Sequence, residues 1–293
     1  GSRTRTTSFL TLPRRCGHHS ADDAMDVNLD GLHVHASTGG REFDPSLPTV
    51  VLLHGAGMDH TVWQLQARAF AFHGYGVLSL DLPGHGRSDD PACPAISEYA
   101  DVVAAVLDEI GVDAARVVGH SMGAFIGIEL AARFPSLVQS LVLIGVAETM
   151  PVHPDLLEAA EANDHLAFDL VTSWGHARTA HTGGHPTPGL WMMGATVRLL
   201  ERSRPGVHHN DLAACNAYDD ATERATEIDA PVLVLMGERD LMTRPKGAAA
   251  LAEAIPNSTI VIVAGAGHMV MVEQPDPVID ELFSFWERCD SDT

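Results

Sequence analysis

Three stretches of the chain carry residues able to perform acyl-transfer chemistry. In Val117-Val118-Gly119-His120-Ser121-Met122-Gly123 a serine sits between two glycines, where an apolar run gives way to a helical pattern. This is the Gly-x-Ser-x-Gly spacing of a sharp strand-to-helix turn. The glycines at 119 and 123 remove Cβ atoms that would collide where the turn strains Ser121, and a helix starting at Met122 aims backbone N–H groups at the bond under attack. A serine hydroxyl is a weak nucleophile without a neighbouring base, and that base needs a third group to hold its tautomer. Both follow downstream. Asp240 comes just after the apolar run Val232 to Gly237, and His268 just after Ile260 to Val263. Each stands where a loop leaves the end of a buried strand, so Ser121 is expected to attack a carbonyl, His268 to shuttle the proton and Asp240 to orient the imidazole.

Rival side chains have simpler readings. Glu238 is expected to face solvent, and Glu148, after the run Leu141 to Ile144, to sit at a junction between segments. His54 and His120 flank motif glycines and read as structural. The stretch His85-Gly86-Arg87-Ser88 reads as a tight loop ordering its own backbone, with Asp81 hydrogen-bonded to it. His176, His181, His185, His208 and His209 do not place two rings on one helical face with a third nearby, so they are read as surface histidines rather than metal ligands. No metal or organic cofactor is called for.

These residues must be held by a scaffold, and its rhythm is visible from Val50 onward. Short β-branched runs alternate with stretches of helical period, as βα units building a mostly parallel, buried sheet require. Central strands are expected at Thr49 to Leu53, Gly76 to Asp81, Arg116 to Val118, Leu141 to Ile144, Val232 to Met236 and Thr259 to Val263. Helices are expected at Thr61 to Phe72, Ser97 to Ile110, Met122 to Phe134, Lys246 to Ala254 and Val278 to Arg288. Alternation in Val27, Leu29, Leu32 and Val34 suggests an antiparallel edge hairpin. Between Ile144 and Pro231 the rhythm breaks for longer than one crossover needs.

That break reads as an inserted helical cap over 148–228, dividing a core of 26–147 and 229–290. Within it, Gly183 to Gly189 forms a turn cluster between helices in Asp155 to Trp174 and a further helix starting near Leu190. Trp174, Trp191, Met192 and Met193 are its most apolar part, and they either line an acyl pocket or only pack the cap on the core. Residues 1–25, rich in Arg, Ser and Thr at the start, read as a disordered leader.

Composition bounds the alternatives. The 293 residues carry 39 acids against 18 bases, a formal charge of -21, and four of those bases are Arg3, Arg5, Arg14 and Arg15. So acidic a body repels phosphate backbones and anionic lipid, which argues against nucleic-acid or membrane-surface binding. No apolar run approaches the roughly 20 residues needed to span a bilayer. Lys246 is the only lysine, which fits either adaptation to high salt or a bias toward arginine codons. Cys16, Cys93, Cys215 and Cys289 show no zinc-like or disulfide spacing, so reduced thiols and a cytoplasmic setting are expected. The oligomeric state is not legible.

Four motifs in order make the chain resemble the α/β-hydrolase superfamily from about Val27 to Trp286. They are His54-Gly55-Ala56-Gly57, then Asp81-Leu82-Pro83-Gly84-His85-Gly86-Arg87-Ser88, the Ser121 turn, and Gly267-His268 followed by Glu273-Gln274-Pro275. The order Ser, Asp, His is the one this fold uses. The resemblance implies an α/β-hydrolase fold and an oxyanion hole made by the backbone N–H groups of Ala56 and Met122. It also implies a small-molecule ester or related acyl substrate. Relatives that open epoxides or displace halide carry aspartate in place of Ser121. Carbon–carbon cleavage of ring-fission products, lactone or thioester hydrolysis and acyl transfer use the same triad, and a ligand receptor or pseudoenzyme is a further alternative.

Overall fold

The computed structural model describes residues 24–184 and 191–291. Strands β1 (Ala24–Leu29) and β2 (Leu32–Ser37) form the antiparallel edge hairpin expected from their alternation, with Val27 opposite Val34. Asp30 and Gly31 turn it, both at positive φ. The parallel series follows: β3 (Thr49–Leu53), β4 (Gly76–Leu80), β5 (Ala115–His120), β6 (Val138–Ile144), β7 (Val232–Gly237) and β8 (Ser258–Val263). Spatial order is β1-β2-β4-β3-β5-β6-β7-β8. Strand β2 pairs antiparallel with β4, and every later pairing is parallel.

Why these runs become central strands is clear from where their side chains go. Successive residues of a strand point to opposite faces. Val51, Leu53, Val117, Leu141, Leu143, Val232 and Val234 enter one apolar cluster, while Val50, Leu52, Val118, Val142, Ile144, Leu233 and Leu235 enter the other. Both faces are therefore dry, and each such side chain contributes roughly 1.5–3 kcal/mol by leaving water. Helices α1 (Gln64–Phe72), α2 (Ile96–Glu109), α3 (Met122–Arg133), α10 (Pro245–Ala254) and α12 (Pro275–Ser291) supply the covering layers.

Between β6 and β7 lie α4 (Pro154–Glu161), α5 (Leu166–Gly175), α6 (Arg178–His181), α7 (Met192–Leu200), α8 (Val207–Ala217) and α9 (Ala221–Ala225), with no strand among the described residues. His185 and most of the expected turn cluster, together with Leu190 and the leader through 23, fall outside the described residues. A last short helix, α11 (Val270–Glu273), precedes α12. No helix among the described residues is long and apolar enough to cross a membrane.

Candidate active site

Sheet register decides what can meet at the rim. Leu53 pairs with Gly119, His120 with Ile144, and Ile144 with Leu235. The loops leaving β3, β5, β6 and β7 thus emerge side by side, on strands about 4.8 Å apart. Ser121 occupies the step between β5 and α3 at φ 53°, ψ -115°, and its N–H extends the ladder to the Ile144 carbonyl at 2.9 Å. Such a strained conformation persists only where neighbours over-determine it. They do so here by close approach. A Cβ at 119 would lie 2.1 Å from the Gly123 carbonyl oxygen, and one at 123 would lie 2.3 Å from that of Leu53.

Past β7, the chain turns back on itself with the Asp240 N–H on the Gly237 carbonyl. The Asp240 carboxylate is saturated by donors. Oδ1 accepts the N–H groups of Met242 at 2.8 Å and Thr243 at 2.9 Å, and Oδ2 accepts the Thr243 hydroxyl at 2.7 Å. Its remaining partner is the His268 ring, whose Nδ1 lies 2.9 Å from Oδ2. Burial alone would raise the Asp240 carboxyl, yet the His268 ring and the Thr243 hydroxyl and N–H hold it below the ordinary carboxylate range. An ionised Asp240 keeps the proton on Nδ1 and leaves Nε2 as the basic nitrogen.

The His268 ring is gripped on two further sides. Gly145, at the end of β6, is close enough that a Cβ there would lie 2.9 Å from His268 Cε1. The ring of His120 stands 4.8 Å away between centroids, and His120 Nε2 bonds the His268 carbonyl at 3.1 Å. Burial, reinforced by His268, brings His120 down to about 3, so that ring is neutral at pH 7. Glu273 fixes the approach to the histidine by accepting the Gly267 N–H at 2.8 Å and the Ala177 N–H at 3.0 Å. Burial pushes its carboxyl up to about 7.

Ser121 and His268 open onto one cavity of about 390 Å³. Ala56 lies on its wall, and Met122 begins α3, so the Met122 N–H is among the first-turn groups that have no acceptor within the helix. An apolar part of the wall comes from Met150, just ahead of the inserted helices, and from Leu156, Val171, Trp174 and Leu212 on them.

Against this scaffold, a model of the alpha/beta hydrolase fold family matches residues 48–275. The chain belongs to the α/β hydrolase fold family. It is 27% identical over 270 residues to a protein of Agrobacterium fabrum (strain C58 / ATCC 33970) provisionally named carbamate hydrolase RutD, covering 86% of this chain and 97% of that one. It is 26% identical to (E)-2-((N-methylformamido)methylene)succinate hydrolase of Acinetobacter baylyi (strain ATCC 33305 / BD413 / ADP1), over 78% of this chain and 86% of that one. A solved thermophilic esterase matches with a TM-score of 0.76 at 30% identity, covering 91% of this chain and 98% of the other.

The structure of this α/β hydrolase corrects or extends three readings. Of the four apolar residues expected beneath the inserted segment, only Trp174 lines the cavity with Ser121. Trp191 is 70% exposed, folding its indole over Gly194 in the first turn of its own helix, and Met193 lies with it in a separate depression. Met192 is buried but faces a groove shared with α1 and α11. Apolar content marked a helix that packs, not the face it packs with. Second, the histidines between β6 and β7 are not all on the surface: His176 bridges the Thr172 carbonyl and the Thr196 hydroxyl, and His208 is 4% exposed on the cavity wall. Third, His85 does bond its own loop at the Pro83 carbonyl, but its Nε2 lies 2.7 Å from Asp211 on α8.

Asp211 is the residue that sequence reasoning misses entirely. Fully buried, it accepts the Gly57 N–H at 2.8 Å, His85 Nε2 and the Tyr99 hydroxyl at 2.8 Å. Despite the penalty of burial, His85 and these hydrogen bonds hold its carboxyl low, and Asp211 in turn raises His85 against its own burial. Beside them, burial and His85 bring His54 down to about 4. As expected, Asp81 orders its loop, taking the Arg87 N–H at 2.8 Å as well as the backbone and ring of His60. Glu238 and Glu148 are exposed.

Proposed function

We propose that this α/β hydrolase is a serine esterase, with Ser121, His268 and Asp240 as its triad and the backbone N–H groups of Ala56 and Met122 as its oxyanion hole. The observation that carries the reading is the 2.9 Å contact between His268 Nδ1 and Asp240 Oδ2, with His268 and Ser121 on one cavity wall. Ser121 Oγ adds to the ester carbonyl carbon as His268 Nε2 takes its proton, and the negative oxygen rests on the two N–H groups. The C–O bond then breaks and the alcohol leaves with the proton from His268. Water deprotonated by the same nitrogen attacks the acyl-enzyme, and the carboxylic acid departs as Ser121 regains its proton.

The inserted helices over 148–228 act as the cap, and the apolar wall through Leu156, Val171 and Trp174 receives the acyl chain. A cavity of about 390 Å³ suits a small or medium acyl group. The thiols of Cys93 and Cys215, in no disulfide among the described residues, support a cytoplasmic setting. The test is a panel of short carboxylic esters, lactones, thioesters and vinylogous diketo acids under saturating and limiting substrate. The esters are expected to give the highest kcat/KM; dominance of another class reassigns the substrate while keeping the triad.

A further inference from the structure

His208 stands out among the residues around the cavity. It is 4% exposed, it lines the same cavity as Ser121, and neither ring nitrogen has a hydrogen-bond partner among the described residues. More than nine in ten buried polar groups in folded proteins are paired, and leaving one unmet is destabilising. The exception here is placed by the fold with some care. His208 lies in the first turn of α8, one turn before Asp211, which anchors the Gly57 N–H. Its imidazole presses on that same glycine: a Cβ at 57 would lie 2.2 Å from His208 Nδ1. Phe168 closes another side, edge to face with ring centroids 5.6 Å apart.

The exposed rim of the cavity is elsewhere, at Leu241, Arg244 and His153. The alcohol escapes to solvent at the end of the first half-reaction while the acyl group stays on the serine through the second, so the enclosed end is where an acyl chain resides. Burial brings His208 down to about 4, and a neutral imidazole offers one donor and one acceptor. A carboxylate would have to be desolvated one helical turn from the buried Asp211 carboxylate, which favours an uncharged group.

Building on the esterase reading, we propose that His208 is a specificity-determining residue that hydrogen-bonds an uncharged polar group on the acyl chain, such as a hydroxyl or ketone, so that the preferred substrate is an ester of a short hydroxy or oxo acid rather than of a plain fatty acid. A hydroxyl can donate to or accept from the one ring nitrogen it meets, whichever tautomer the ring holds, and the apolar wall takes the remaining carbons.

The experiment compares p-nitrophenyl 3-hydroxybutanoate with p-nitrophenyl butanoate in the wild type and in H208L, H208M and H208Q, with folding checked by circular dichroism. The wild type is expected to favour the hydroxy ester in kcat/KM. That ratio should fall about 10-fold or more in whichever of H208L and H208M folds, and recover in part in H208Q. A wild type without the preference, or a ratio unchanged within about 2-fold in the apolar variants, overturns the inference. Should the wild type turn over neither ester, the esterase reading fails separately. The affinities of S121A and S121A/H208L for the two esters then decide, and equal affinities, or no binding of either ester, overturn the role of His208.

Discussion

Asp211 and Gly57 are 154 positions apart in the chain and joined by a 2.8 Å hydrogen bond from the glycine N–H to a carboxylate with no exposure to solvent. Gly57 directly follows Ala56, the residue to which one oxyanion donor is assigned. The loop that presents that donor is therefore held from above by a helix inserted between β6 and β7, as well as from below by β3.

Replacing Asp211 with alanine leaves the Gly57 N–H, His85 Nε2 and the Tyr99 hydroxyl without their common acceptor. Breaking a buried charged pair by removing one partner costs about 3–5 kcal/mol. Urea denaturation of D211A should show a loss of that size, with kcat reduced more than KM is raised. D211N, which keeps an acceptor oxygen, should be intermediate in both. Unchanged stability would show that the network is not the clamp described.

Gly145 tests how closely the His268 ring is gripped. Alanine there would place its Cβ 2.9 Å from Cε1 on a backbone with φ of +62°. The ring must shift, and displacement on the scale of 1 Å costs about 100-fold in rate. G145A is therefore expected to lower kcat on a p-nitrophenyl ester by about 10- to 100-fold, with ligand affinity nearly unchanged. Full activity would place the ring elsewhere during turnover.

Glu273 makes a pH-dependent contribution to stability whose sign is opposite to that of a salt-bridged acid. Its ordinary value is 4.5 and burial pushes the folded-state value up to about 7. Between those values the folded protein holds a proton that the unfolded chain has released, so stability falls as pH rises through the window and levels off above it. The wild type should lose about 2 kcal/mol relative to E273Q between pH 5 and pH 8, a tenfold difference in proton affinity being worth about 1.4 kcal/mol. Parallel curves for the two proteins would remove Glu273 from the account.

The central strands β3 to β7 were legible in the sequence because they are buried on both faces. Val50 to Leu53 or Val232 to Met236 can satisfy their apolarity and β-branching in few other ways, and they appear within a residue or two of expectation. The Ser121 turn was legible for a similar reason, since Gly119 and Gly123 answer contacts that no side chain fits. The α8 face was harder to see. His208, Asp211, Leu212 and Cys215 follow an i, i+3, i+4, i+7 spacing and are all buried. The signal was present as polar residues on an apolar stripe. A run of His-His-Asn-Asp instead reads as a solvated face, because the donors that offset the burial of Asp211 come from Gly57, His85 and Tyr99 on distant elements. Trp191 failed in the opposite way: a large apolar ring found cover in its own helix's first turn rather than in the cavity.

The most direct measurement is labelling of the protein by a fluorophosphonate, followed by peptide mapping, alongside turnover of a short p-nitrophenyl ester by Ser121→Ala. The account predicts a single phosphonylated residue at Ser121 and loss of both labelling and turnover in the alanine variant. Labelling at another residue, or ester hydrolysis that survives the substitution, would contradict it.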